Sequence, residues 1–171
     1  MHSRGFAPLA RADAEILILG SLPGRESLRR RQYYAQPRNA FWPIMGALAD
    51  FAPDLEYAAR IERLLRARIA VWDVCRAAFR AGSLDAAIVA DSIEVNDFPR
   101  FYRAHPAIRL VCCNGATAEL LYRRRVLPAL DSRLGALPLK RLPSTSPAHA
   151  ARSLADKRAA WRRALAAVLS S

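Results

Sequence analysis

The residues with the most chemical potential lie between Gly20 and Trp42. Gly20-Ser21-Leu22-Pro23-Gly24 combines two glycines with a proline, which permits a tight turn with bare backbone N–H groups at the surface. Arg29, Arg30, Arg31 and Arg38 supply guanidinium forks suited to phosphate oxygens. Tyr33, Tyr34, Phe41 and Trp42 supply rings, and stacking a base on such a face is worth about 1–3 kcal/mol. Paired aromatics also pack cores. Tyr33 and Tyr34, in an arginine-rich stretch, are the better pocket candidates, and Trp42 is expected to pack. Asn39 offers a carboxamide that can orient a ligand but accepts a proton poorly. A second polar stretch, Leu142 to His149, holds Ser144, Thr145 and Ser146 between Pro143 and Pro147. Prolines fix hydroxyls and amides with little entropy left to lose, which suits gripping phosphate, although a plain turn leading into a helix fits the local sequence as well.

Two segments that far apart must be brought together by a fold, and the apolar pattern says which. Ile16 to Leu19 reads as a buried parallel strand ending at the glycine turn. Phe41 to Leu48 has helical spacing with Pro43 in its first turn. A helix over Leu55 to Arg68 then leads to a second strand, Ile69 to Val74, so that the pair forms a right-handed crossover unit. Ser83 is expected to cap a short helix reaching Ile88, and Asn96 to Pro99 starts another helix that ends near His105. Ile108 to Cys113 is a third strand, Ala116 to Arg125 a helix, Leu139 to Leu142 a fourth strand, and Ser153 to Leu169 a closing helix. This alternation predicts an α/β fold with about four parallel strands and helices on both faces, within one domain spanning 1–171. Ligands of such sheets bind beyond the C-terminal strand ends, where Gly20 to Gly24, Asp73, Asn114-Gly115 and Pro143 to His149 all fall.

Composition narrows the partner. Of 171 residues, 27 are Lys or Arg against 15 Asp or Glu, a net charge of +12, and only Lys140 and Lys157 are lysines. Such guanidinium-rich charge favours a polyanion, though an Arg-rich solvated surface would look the same. Cys75, Cys112 and Cys113 lack metal-site spacing and are expected to be reduced core residues; His2, His105 and His149 are too scattered for a metal. Only His149 has neighbours that suit a ligand role as well as a plain surface one. No signal-like apolar segment and no long uncharged run is present, so a cytoplasmic protein without a membrane partner is expected. There is no dinucleotide fingerprint, no Walker A lysine and no nucleophile elbow.

In order along the chain, G-S-L-P-G, Q-Y-Y, P-R-N-A-F-W, V-W-D-V, G-S-L-D-x-x-I, N-D-F, C-N-G-A-T-A and L-P-S-T-S-P-A resemble the hypoxanthine-DNA glycosylase branch, family 6, of the uracil-DNA glycosylase superfamily. The match runs from about Ile16 to Ala148, and its most specific parts are the block from Gly20 to Trp42 and L-P-S-T-S-P. The resemblance implies a three-layer α/β/α fold with a four-stranded parallel sheet of order 2-1-3-4, repair of deaminated bases and no cofactor or metal. Sister branches carry an Asp or Asn for the attacking water in the loop after the first strand. Here Gly20 to Gly24 lacks one, and the resemblance assigns that duty to Asn39.

On this reading the partner is DNA carrying a damaged base, bound by a monomer. Arg29, Arg30, Arg31 and Arg38 would hold the backbone, with Ser144, Thr145, Ser146, Pro147 and His149 at the flanking phosphates and groove. The extruded base would stack on Tyr34 or Phe41 above a floor of Gly20 and Ser21, with its edge read by Asp73 or Asn114. A carboxylate at Asp73 would accept from N1–H of hypoxanthine and repel the N1 lone pair of adenine. Backbone N–H groups at Ser21 or at Asn114-Gly115 would steady the charge on the departing base. No lysine is expected near these motifs to form a Schiff base, so a monofunctional enzyme that leaves the strand uncut is expected. Uracil, xanthine or an alkylated base remain alternative substrates, and a non-catalytic DNA-binding domain is the alternative of another class.

Overall fold

The computed structural model describes residues 1–169; the last two positions of the expected domain, Ser170 and Ser171, lie outside them. Four parallel strands, β2 (Ile16–Gly20), β3 (Ile69–Asp73), β6 (Leu110–Asn114) and β7 (Leu139–Leu142), form the central sheet in the order β3-β2-β6-β7. Numbered within that sheet, this is the expected 2-1-3-4. Side chains alternate across each strand, which sorts the core into two layers. Ile16, Ile18, Ile69, Val71, Leu110 and Cys112 face one side, against helices α2 (Phe41–Ala49), α3 (Tyr57–Arg66) and α7 (Leu154–Leu169). Leu17, Leu19, Ala70, Trp72, Val111 and Cys113 face the other, against α4 (Phe98–Ala104) and α5 (Ala116–Leu121). The adjacent cysteines therefore serve opposite cores, and all three are buried and free.

A second sheet was not legible in the sequence. β1 (His2–Arg4) pairs antiparallel with β4 (Cys75–Phe79), which pairs antiparallel with β5 (Glu94–Val95). These strands are short and lack apolar alternation; what forms them is the continuation of the chain past Asp73. Val74 N–H donates to Gly20 O and Cys75 N–H to Ser21 O, both at 2.9 Å, so the segment stays zipped to the glycine turn before it leaves the main sheet.

Several expected elements change form. The helix over Ser83 to Ile88 is a single 3₁₀ turn, Asp85–Ala87, and Ser83 does not cap it: its hydroxyl accepts from Arg25 N–H across the chain at 3.0 Å. The arginine-rich stretch, given no element from the sequence, is a helix, α1 (Arg25–Arg30), closed by Arg31 in the left-handed region at φ 54°. The helix expected through Arg125 stops at Leu121 and widens into a π turn over Tyr122–Val126, which buries Tyr122 and Val126 together. A one-turn helix, α6 (Ser132–Gly135), capped by Asp131, precedes β7. Elsewhere the expected helices shift by two residues or fewer at most ends, and Ser153 caps α7 by accepting from Asp156 N–H at 3.1 Å.

Candidate functional site

Parallel register delivers the expected residues to one edge of the sheet. Gly20 pairs with Asp73 across β2 and β3, and Asn114 with Leu142 across β6 and β7. Gly20 is dictated by crowding: a Cβ there would lie 2.5 Å from Asp73 Oδ1 and 3.3 Å from the Tyr34 hydroxyl oxygen. Bare backbone, a carboxylate and a phenol thus meet at one point. Asp73 is 4% exposed and its Oδ2 has no hydrogen-bond partner. Burial, reinforced by the negative charge of Asp85 and opposed by Arg80, pushes the Asp73 carboxyl up to about 7.

The aromatic residues divide differently from expectation. Tyr33, offered with Tyr34 as a pocket ring, is core: its hydroxyl donates to Ala7 O at 3.1 Å, and its carbonyl accepts from Trp42 Nε1 at 2.9 Å. Trp42 packs as expected. Phe41 is fully buried, with Tyr34 stacked on it at 3.9 Å between centroids and 20° between planes. Tyr34 itself has φ 54° and a buried hydroxyl that forms no well-aligned hydrogen bond; burial and the nearby Asp73 push that phenol far above its ordinary value, against the opposing effect of the Asn114 carboxamide.

The turn below these groups is fixed by two residues that sequence reasoning gave no role. Arg80, almost fully buried, donates from Nη1 to Leu22 O at 3.2 Å and from Nη2 to Pro23 O. Asp85 accepts from Ser21 Oγ at 2.6 Å and lies 3.9 Å from Arg80 Nη1. Burial raises the Asp85 carboxyl, against which Ser21, Arg80 and His149 act. Asp85 could have been suspected as the acidic end of G-S-L-D, whereas nothing distinguishes Arg80 from the other arginines in the sequence.

Asn114 and the 143–149 loop form a clamp. Asn114 Nδ2 donates to Thr145 Oγ1, and Asn114 Oδ1 accepts from Thr145 N–H, each at 2.9 Å. This carboxamide fastens the loop and also reaches toward the Tyr34 hydroxyl, and Thr145, 1% exposed, is a buried anchor rather than an open phosphate contact. Gly115 at φ 95° lets the chain turn under the loop, since a Cβ there would meet Ser144 Cβ at 3.1 Å. Its N–H donates to Leu142 O at 3.0 Å, which removes it from the backbone donors expected to face the departing base. Ser144 and Ser146 are half-buried, Pro147 likewise, and His149 is exposed.

Asn39 joins this loop from the other side. Its Oδ1 accepts from Phe41 N–H at 3.0 Å, and the next residue, Ala40, donates its N–H to Thr145 O at 2.9 Å. A cleft of about 230 Å³ runs here, lined by Arg38, Asn39, Thr145, Pro147 and Lys157. Lys157, distant in sequence, enters through α7, and burial lowers its ammonium pKa. The expectation that no lysine adjoins the motifs is thus corrected by the fold.

Of the basic run, Arg29 and Arg30 both bind Glu26, which they hold down at about 2, while Arg31 is exposed. Among the described residues no group of three or more His, Cys, Asp or Glu is placed to hold a metal, and no helix is long and apolar enough to cross a membrane.

Comparisons with known proteins agree with this architecture. The chain is 41% identical over 138 residues to a hypoxanthine DNA glycosylase of Methanosarcina acetivorans, covering 75% of this chain and 86% of that one. It is 40% identical over 116 residues to the Methanosarcina barkeri protein of the same name, covering 67% and 72%. A solution NMR structure from M. acetivorans, named as a candidate uracil DNA glycosylase, superposes over the whole of both chains with a TM-score of 0.78 at 36% identity. Residues 7–169 match the family model of the uracil DNA glycosylase superfamily, and with strand order, glycine floor and loop clamp all in place, the chain belongs to that superfamily.

Proposed function

We propose that this protein is a monofunctional glycosylase that hydrolyses the N-glycosidic bond of hypoxanthine in DNA, acting as a monomer of one domain. The observation that carries the reading is the meeting of Gly20, Asp73, Tyr34 and Phe41 at the C-terminal end of β2. Relatives of 40% and 41% identity that bear the hypoxanthine name support the choice of base.

An extruded nucleotide presents a planar edge to such a site. Hypoxanthine offers N1–H as donor and O6 as acceptor. A protonated Asp73 matches both, with its carbonyl oxygen accepting and its O–H donating, but it meets N1 and the N6 amino group of adenine equally well; the ionised form accepts only from N1–H and is the form that repels the adenine N1 lone pair. A carboxyl near 7 supplies the neutral form up to neutral pH. Asn39 orients the attacking water without taking its proton, so departure of the base leads bond cleavage, and the Ser21 turn stabilises the negative charge that grows on it. Asp85, hydrogen-bonded to Ser21, holds that turn in position. The Arg38 guanidinium and the 143–149 loop grip the DNA backbone beside the Asn39 cleft.

A duplex containing deoxyinosine, treated with the protein and then with alkali, is expected to be nicked, and Asn39→Ala to remove at least about a hundredfold of the rate, the scale of losing one positioned catalytic group. An intact strand with wild-type protein would sink the assignment. Because Lys157 lines the cleft, borohydride trapping is the proper check on the monofunctional reading: no covalent protein–DNA adduct should form. The same Asp73 edge suits N3–H of uracil, and a panel of single-lesion duplexes ranks the two bases.

A further inference from the structure

We propose that Lys157 seats one phosphodiester of the damaged strand in the cleft beside Asn39, and so positions the extruded nucleotide against that carboxamide. This rests on the reading of the Asn39 side of the sheet edge as the place of hydrolysis.

Two cationic side chains are buried among the described residues, Arg80 and Lys157. Arg80 donates to Leu22 O and Pro23 O and lies near Asp85. Lys157 is 6% exposed, and its ammonium has neither an ion pair nor a hydrogen bond with any described residue; burial alone shifts its pKa. Its neighbour Asp156, the acid of the first turn of α7, accepts instead from Ser153 Oγ at 2.8 Å. The other lysine of the chain, Lys140, donates to Ala164 O at 3.0 Å. An ammonium taken out of water without a partner is costly, and an anion entering the cleft supplies the missing compensation.

The cleft suits a phosphodiester. Its volume is about 230 Å³, against roughly 30 Å³ for a water. Lys157 and Arg38 line it and no carboxylate does, while Pro43, Pro147 and Leu154 form apolar walls that strengthen the attraction between an ammonium and an oxyanion. A base, uncharged at neutral pH, would leave the ammonium unpaired, whereas a phosphate pairs with it.

The sign of the charge matters for hydrolysis. Departure of the base leaves positive charge on the sugar, which a bare ammonium nearby would oppose and a seated phosphate cancels. The phosphate also holds Lys157 in its charged form. A protonated amine cannot attack the sugar to form a Schiff base, so the seat accords with a monofunctional enzyme.

The test is binding of a duplex with 2′-fluorinated deoxyinosine, which resists excision, in which each phosphate of the damaged strand near the lesion is replaced in turn by an uncharged methylphosphonate. One position should weaken wild-type binding by roughly tenfold or more, the scale of a charge-assisted hydrogen bond, and should cost Lys157→Met less than about twofold. Lys157→Met should also flatten the log–log salt slope by about 0.9. Its melting temperature should match or exceed that of the wild type, because an unpaired buried charge is gone. Wild-type protein labelled with 13Cε-lysine, in which Lys140→Arg assigns the two signals, gives a readout independent of that variant: the Lys157 signal should move on binding the duplex and stay nearer its free position with the critical methylphosphonate. Identical methylphosphonate profiles in the two proteins, or a Lys157 signal indifferent to the duplex, would overturn the seat even if deoxyinosine is excised. Wild-type protein that excises no lesion yet shows the coupling would instead overturn the glycosylase reading and leave a phosphate seat in a DNA-binding domain.

Discussion

Asp73 carries the clearest pH signature. Its carboxyl rises from 3.8 to about 7 on folding, chiefly through burial, so the folded state binds a proton that the unfolded state releases. Stability is then greatest below about pH 4 as far as this group is concerned, falls as pH rises from there to about 7, and stays reduced above it. The upper scale of that loss is roughly 1.4 kcal/mol for each tenfold gain in the carboxyl's proton affinity on folding. Asp73→Asn removes the ionisation, so its melting temperature should exceed that of the wild type by more at pH 8 than at pH 5. Its carboxamide also carries donor and acceptor at every pH. The excision rate for deoxyinosine should fall above about pH 7 in the wild type and lose that alkaline limb in Asp73→Asn. The aspartate itself was visible as a polar residue ending a buried strand. Its protonation was not, because that follows from burial, reinforced by Asp85 on a segment that the sequence marks only as a short helix and opposed by Arg80.

Between elements, the determining contact is the clamp of Asn114 on Thr145, which fastens the loop after β7 to the end of β6. Ala40 N–H and Trp161 Nε1 fasten the same loop to the Asn39 segment and to α7, the latter through Pro143 O at 2.9 Å. Asn114→Ala leaves the buried Thr145 N–H and hydroxyl unpaired, a cost of about 1–3 kcal/mol. Thermal melting should register that loss, and DNA binding should weaken together with excision because the phosphate loop is released. The chain order of C-N-G and L-P-S-T-S-P was legible, and so was their placement at adjacent strand ends. That the carboxamide grips the loop follows from a parallel register that pairs Asn114 with Leu142 and sets Thr145 three residues beyond it.

For the whole molecule, a net charge of +12 predicts DNA binding that weakens steeply with salt. The log–log slope should lose about 0.9 in magnitude for each phosphate contact removed, so Arg38→Ala should flatten it by about one contact. Glu26 holds Arg29 and Arg30 on α1, and Glu26→Gln should free both guanidiniums and steepen the slope. Fluorescence anisotropy across a salt series measures both. A slope unchanged in Arg38→Ala would place the backbone contact elsewhere on the surface.

By itself the sequence determined the strands of the central sheet, the layers that cover it and the edge where chemistry collects, because buried parallel strands and amphipathic helices write their periodicity locally. It also marked Asn39, Asp73 and the 143–149 loop as polar groups in positions of consequence. Only the tertiary structure decided which of these groups touch. It joined Asn114 and Thr145 in a clamp, buried Tyr33, brought Lys157 to the cleft of Asn39 and cinched the glycine turn with Arg80. Hydrogen bonds and buried charges between segments tens of residues apart leave no period in the chain, so they are settled by packing alone. The residue most changed by that packing is Tyr34, which the sequence offers as a ring in an open stretch and the fold stacks on Phe41 with its hydroxyl beside Gly20 and Asp73.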